Sequence, residues 1–181
     1  ECPAGKFATD GTQCESCEIG KISTTPRSGS CDRCSTGQKT DVGNAKGGSQ
    51  CEDCNSGTFL NNYVCEGCQA GYFQALKNKE NCDACPSGKI SASNSATDCT
   101  DCNTGKYAPT EHLSSCLDCL GGFFTPSNGA HSTCDDCEAG QFSGVGATSC
   151  SVCPNGKAQA SAGRGECDDC TPGKYNDVGI S

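Results

Sequence analysis

The chain has 181 residues, 21 of them cysteine, and its 13 lysines and arginines against 22 aspartates and glutamates leave a net charge of −9. Leu, Ile, Val and Phe together number only 20, with no Met or Trp. Burial at about 25 cal/mol per Å² therefore cannot offset roughly 1–2 kcal/mol of backbone entropy per residue, and cross-links must hold the fold. The acidic balance excludes nucleic acid and anionic membrane surfaces as natural partners, and no apolar run approaches the ~20 residues of a membrane span.

Along the chain, Cys2 is followed by Pro3-Ala4-Gly5-Lys6-Phe7, and ten C-x-x-C pairs then begin at Cys14, Cys31, Cys51, Cys65, Cys82, Cys99, Cys116, Cys134, Cys150 and Cys167. The nine steps between pairs average 17 residues. Cys2 reads as the second half of a truncated pair, so residues 1–181 form one continuous array of eleven units and are expected to be a slice of a longer chain. A glycine stands three residues after the second cysteine in every unit: Gly5, Gly20, Gly37, Gly57, Gly71, Gly88, Gly105, Gly122, Gly140, Gly156 and Gly173. Such a position calls for a positive φ in a tight turn. Two residues further, nine units carry an aromatic or isoleucine, from Phe7 and Ile22 to Phe142 and Tyr175. This residue is expected to plug the unit over a neighbouring disulfide. Helical periodicity is absent, and Gly, Ser, Thr, Asn and Asp between the cysteines favour turns and two-stranded ribbons. The expected fold is small and disulfide-rich, an elongated solenoid-like rod with almost no helix, in which each unit touches only its neighbours. The steps of 20 after Cys31 and 14 after Cys51 sum to two periods, so a long loop (41–48) and a short one keep the stack in register.

Truncation and spacing favour a disulfide ladder, the second cysteine of each pair bonding the first of the next: Cys2–Cys14, Cys17–Cys31, Cys34–Cys51, Cys54–Cys65, Cys68–Cys82, Cys85–Cys99, Cys102–Cys116, Cys119–Cys134, Cys137–Cys150 and Cys153–Cys167. Cys170 is then expected to bond a cysteine beyond the chain. Crossed pairings in some units are the competing arrangement. The thirteen-residue gaps also lie near zinc-ribbon spacing, but zinc modules use pairs two by two and their alternate linkers differ, whereas these linkers share one pattern. No metal or other cofactor is assigned.

Cys2-Pro3-Ala4-Gly5-Lys6-Phe7, Cys85-Pro86-Ser87-Gly88-Lys89-Ile90 and Cys153-Pro154-Asn155-Gly156-Lys157 each lead to a C-x-x-C about thirteen residues on. This pattern resembles the ephrin-receptor-like cysteine-rich repeat and is similar, more distantly, to tumour-necrosis-factor-receptor modules. The resemblance implies an extracellular, disulfide-laddered, elongated module of the kind used in receptor ectodomains, matrix proteins and surface proteins.

Catalytic chemistry cannot be assembled: the two histidines, His112 and His131, lie in loops without a nucleophile or carboxylate constellation, and the chain is read as not an enzyme. Nine of the ten pairs hold Asp or Glu between their cysteines, and lysine follows the repeated glycine in six units, at Lys6, Lys21, Lys89, Lys106, Lys157 and Lys174. This periodic charge gives either weak surface pairs or a lateral register between identical rods. No Asn-x-Ser/Thr sequon is present, but Thr25, Thr110, Thr125 and Ser127 adjoin prolines in a way that fits O-linked glycans. The reading is an extracellular structural protein that associates with copies of itself, forming or decorating a fibre, surface hair or matrix. The alternative is a receptor or adhesion ectodomain that binds another extracellular protein through one irregular stretch. Candidates for that contact are Phe59, Leu60 and Tyr63, and the patch of Leu117, Leu120, Phe123 and Phe124.

Overall fold

A computed structural model describes residues 1–10 and 13–175. Among these residues there is no helix, and twenty short strands pair two by two into ten antiparallel ribbons. In each ribbon the residues after the repeated glycine pair with those between the cysteines of the next unit: Lys6–Phe7 with Glu15–Ser16, Lys106–Tyr107 with Leu117–Asp118, Lys157–Ala158 with Asp168–Asp169. Two-residue strands are what this sequence permits. The β-forming residues run out within one or two positions of the glycine, and such a ribbon is not independently stable in water.

The disulfides supply the missing constraint. All ten join the second cysteine of one pair to the first of the next, from Cys2–Cys14 to Cys153–Cys167, with Cα–Cα distances of 5.4–5.9 Å. Sequence separations run from 11 to 17 residues. By the chain-entropy argument each closure contributes about 3 kcal/mol against the unfolded chain. Cys170 is the free cysteine, half-buried.

Beside each bridge lies a four-residue turn closed by a backbone hydrogen bond, as from Lys6 N–H to Pro3 C=O (3.2 Å) and from Lys106 N–H to Asn103 C=O (3.1 Å). The repeated glycine is its third residue, and all eleven have φ between 73° and 91°. That is the geometry a turn of this type demands at its third position.

The interior is built of sulfur and small polar groups. Eight second cysteines, from Cys17 to Cys153, have no exposed surface. The expected plugs are only half-buried, Phe7, Phe73, Tyr107 and Phe124 among them, and Tyr175 is exposed. The inward position is the next one, three after the glycine: Ser23, Thr40, Gln74, Ser91, Ala108, Thr125, Ser143 and Gln159 are all buried. Alternation along the ribbon is the cause, since successive side chains point to opposite faces, one carrying the plug and the other turned inward. No buried side-chain nitrogen or oxygen among the described residues lacks a hydrogen-bond partner.

The molecule divides into two compact units, one of Glu1–Ala84 with Ser93–Asp98 and one of Cys85–Ala92 with Cys99–Ser181. Within each, contacts reach further than the neighbouring repeat. In the second unit the Gly146 N–H donates to the Cys119 C=O (2.8 Å), one repeat back. A Cβ at Gly105, two repeats back, would sit on the Gly146 carbonyl oxygen. In the first unit Asn78 N–H donates to Cys54 C=O (2.9 Å), its side-chain oxygen accepts from Cys54 N–H (2.9 Å), and its backbone covers Gly37. The expectation that a repeat touches only its neighbours is corrected: later loops also cover the turn glycines Gly5, Gly37, Gly57, Gly88, Gly105 and Gly122, each two repeats before them. A glycine turn presents bare backbone, and a loop can close over it without meeting a side chain.

Candidate functional site

The irregular stretch from Cys34 to Cys65 is shaped by its two loops. In the long one the Asp41 carboxylate accepts from the Ser49 N–H (2.8 Å) and hydroxyl (2.5 Å) and from the Gln50 N–H (3.4 Å). These bonds, the Ser49 hydroxyl foremost, hold the Asp41 pKa below the ordinary carboxylate value. The extra residues carry Gly48 beside Ile22, where its carbonyl accepts from the Ser23 N–H (3.1 Å). The short loop is the two-residue turn Asn62-Tyr63, with φ of 46° and 62°, joining Thr58–Asn61 to Val64–Gly67. Positive φ at both positions is the turn that matches strand twist in a tight hairpin. Such a hairpin is too short to lay backbone over the glycine two repeats earlier, and the Tyr63 ring takes that place against Gly20. Sequence reasoning offered Tyr63 as an interaction residue; the structure gives its ring an internal packing task.

Around this stretch a hollow of about 370 Å³ is lined by Ile19, Arg33, Leu60, Tyr63 and Glu80 with residues 34–38. Phe59 is half-buried beside a second hollow of about 310 Å³ with Tyr72 and Glu80. Asp53, at the adjoining knuckle, accepts from the amides of Gln38 (2.7 Å) and Asn78 (2.8 Å). These two bonds lower its pKa.

In the second unit Leu117 and Leu120 are 46% and 66% exposed, whereas Phe123 and Phe124 are half-buried. Leu120 and Phe123 line a shallow groove of about 250 Å³ with Tyr107 and Pro109. The expected four-residue patch is thus two exposed leucines beside partly covered rings. Further exposed aliphatic residues are Val145 at 70% and Val152 at 57%.

Three of the six repeated lysines pair with an aspartate inside their own ribbons, whereas Lys21 stands opposite Arg33 and Lys6 opposite Ser16. Lys89 meets Asp101 (2.5 Å), Lys106 meets Asp118 (2.5 Å) and Lys157 meets Asp169 (2.8 Å), each directly opposite in its ribbon's register. The bond from Asp169 raises the Lys157 pKa. Lys39 also pairs with Glu52. These pairs lie at the surface or half-buried beside it, where solvent and salt screen them and leave them little weight in stability.

Of the candidate glycan acceptors, Thr25, Thr110 and Ser127 are exposed. Thr125 is a correction: it has no exposed surface, and its hydroxyl donates to the Lys106 C=O (3.4 Å). It occupies the inward row, and its hydroxyl is closed to a glycan in the folded chain. His131 Nε2 lies 3.0 Å from the Ser127 C=O, and His112 N–H donates to the Cys85 C=O. Among the described residues no three His, Cys, Asp or Glu side chains are grouped to hold a metal ion. No helix among them is long and apolar enough to cross a membrane.

Sequence reasoning missed the inward row. Its signal was present, since the third residue after the glycine is small or hydrogen-bonding in nearly every unit, Leu60 being the exception among the described residues.

Residues 57–98 and 88–137 match the protein family described as tyrosine-protein kinase ephrin type A/B receptor-like. No curated protein matches the chain. The matched stretches are the C-x-x-C, glycine-turn, disulfide-closed units described above, and residues 57–137 carry ephrin-receptor-like cysteine-rich repeats, a disulfide-bonded kind of extracellular domain.

Proposed function

We propose that this chain is a structural module of an extracellular assembly and that its activity is association with copies of itself. The supporting observation is equivalence: among the described residues the glycine turn and the bridge recur from repeat to repeat, and the inward position is buried in eight of them. Because Lys89, Lys106 and Lys157 are engaged by aspartates of their own ribbons, charge is a poor source of lateral register. Exposed aliphatic side chains such as Leu120, Val145 and Val152 are the better one. O-linked glycans on Thr25, Thr110 and Ser127 would decorate such an assembly, and intact mass of the secreted protein reads them directly. Sedimentation velocity over a concentration series, with electron microscopy of the same samples, tests the main reading. Higher-order species that persist at raised salt are expected, and a strict monomer across the series overturns it. The hollow between Arg33, Tyr63 and Glu80 favours the second reading, capture of an extracellular protein ligand, which a monomer with a saturable partner would support.

A further inference from the structure

The disulfide connectivity has a mechanical consequence. The shortest covalent path through the chain leaves Cys2 across its bridge to Cys14, follows Glu15-Ser16 to Cys17, crosses to Cys31, and continues this way to Cys170. Every loop between bridged cysteines hangs outside that path. So do the glycine turn, the half-buried aromatic and the inward residue, and the noncovalent structure is not in series with a pull on the ends. The segments that remain in the path, such as Glu15–Ser16, Leu117–Asp118 and Asp168–Asp169, are already extended strands with little slack to give.

We infer that the chain is a tension-transmitting tether of limited length: contacts between repeats act in parallel with the covalent path, and once they have given way the bridges and C-x-x-C links carry the load while the loops stay closed. The length follows from the geometry. The ten bridges span together about 57 Å between Cα atoms. Ten three-residue links at roughly 3.3–3.6 Å per residue add about 100 Å, so Cys2 and Cys170 separate by no more than about 160 Å. With the bridges reduced, the same 168-residue separation reaches roughly 550–600 Å, about 3.5 times further. Its use in an assembly rests on the structural function proposed above, but the mechanics stand independently of self-association.

Single-molecule stretching of the oxidised chain is the test, with a peptide-tag handle at the N-terminus and a maleimide-linked handle on the Cys170 thiol. A force–extension curve that stiffens near 160 Å, with no lengthening step beyond that limit, is expected. Adding a reductant should then release loops one at a time, by about 50–55 Å for Cys34–Cys51 and about 30–35 Å for Cys54–Cys65. A Cys34→Ser/Cys51→Ser double variant, with nine bridges left, should lengthen the oxidised limit by that first increment alone. Stepwise lengthening of the oxidised chain well beyond 160 Å overturns the inference, as does a double variant that adds nothing or adds several loops. A chain that passes this test yet sediments as a strict monomer keeps the tether and loses the self-assembly; the converse result separates them the other way.

Discussion

Substituting Gly105 with alanine probes the contact that spans two repeats. Its backbone has a φ of 73°, where a Cβ costs about 1–2 kcal/mol by clash with its own backbone. That Cβ would also fall on the carbonyl of Gly146, and forcing the loop away adds about 1–3 kcal/mol. Gly156 is the control. Its φ is 82°, yet none of the described residues lies within 4 Å of where its Cβ would be, so Gly156→Ala carries only the first cost. Ten intact bridges make global unfolding a poor readout, and hydrogen exchange at single amides reads local opening instead. In Gly105→Ala the Gly146 amide, bonded to Cys119 C=O at 2.8 Å, should lose about 30- to 3,000-fold of its protection, the equivalent of 2–5 kcal/mol. In Gly156→Ala the Cys170 amide, bonded to Gly156 C=O at 2.8 Å, should lose only about 5- to 30-fold, from the backbone cost alone. Equal losses in the two variants, or a Gly146 amide untouched by Gly105→Ala, would refute a supporting role for the two-repeat contact.

Gln74→Ala should open the loop it organises. The buried amide of Gln74 donates to the Asn81 C=O (3.0 Å) and accepts from the Leu76 N–H (3.1 Å), and losing both bonds together with the side-chain volume costs about 2–4 kcal/mol. Lysine-specific cleavage at Lys77 or Lys79 should accelerate at least tenfold, the products separating on a gel only after reduction because Cys68–Cys82 still joins them; unchanged cleavage counts against the reading. Asp41 predicts an acid-sensitive loop. Its folded pKa is lowered, so its contribution is present above the unfolded carboxylate value of about 3.9 and is lost as pH falls through the folded value. A carboxyl titration by NMR should place its midpoint below that reference, with Ser49 and Gln50 amide shifts moving alongside; a midpoint at or above it contradicts the hydrogen bonding. Asp41→Asn should abolish the pH dependence of those two amides.

Much of the fold was legible because cysteine and glycine speak for the backbone directly. A glycine fixed at three residues past Cys17, Cys102 or Cys153 announces a positive-φ turn whatever surrounds it. The candidate sites were less legible because burial depends on which face of a two-residue strand turns inward. Thr125 looked like a surface hydroxyl and is enclosed, while Phe124 beside it, two residues after the turn glycine where a plug was expected, is only half-covered.

The sequence by itself determined the repeat, the turn in each unit and the class of extracellular, disulfide-bonded domain, because these rest on local spacing and on the conformational freedom of one residue type. Only the tertiary structure decided that loops reach across two repeats to cover bare glycine backbone, and that Tyr63 does so with its ring where its loop is too short. It alone showed Lys89, Lys106 and Lys157 bound by aspartates across their own ribbons. Those outcomes depend on how far a loop of given length extends in space and which atoms it meets there, and spacing along the chain carries no such information.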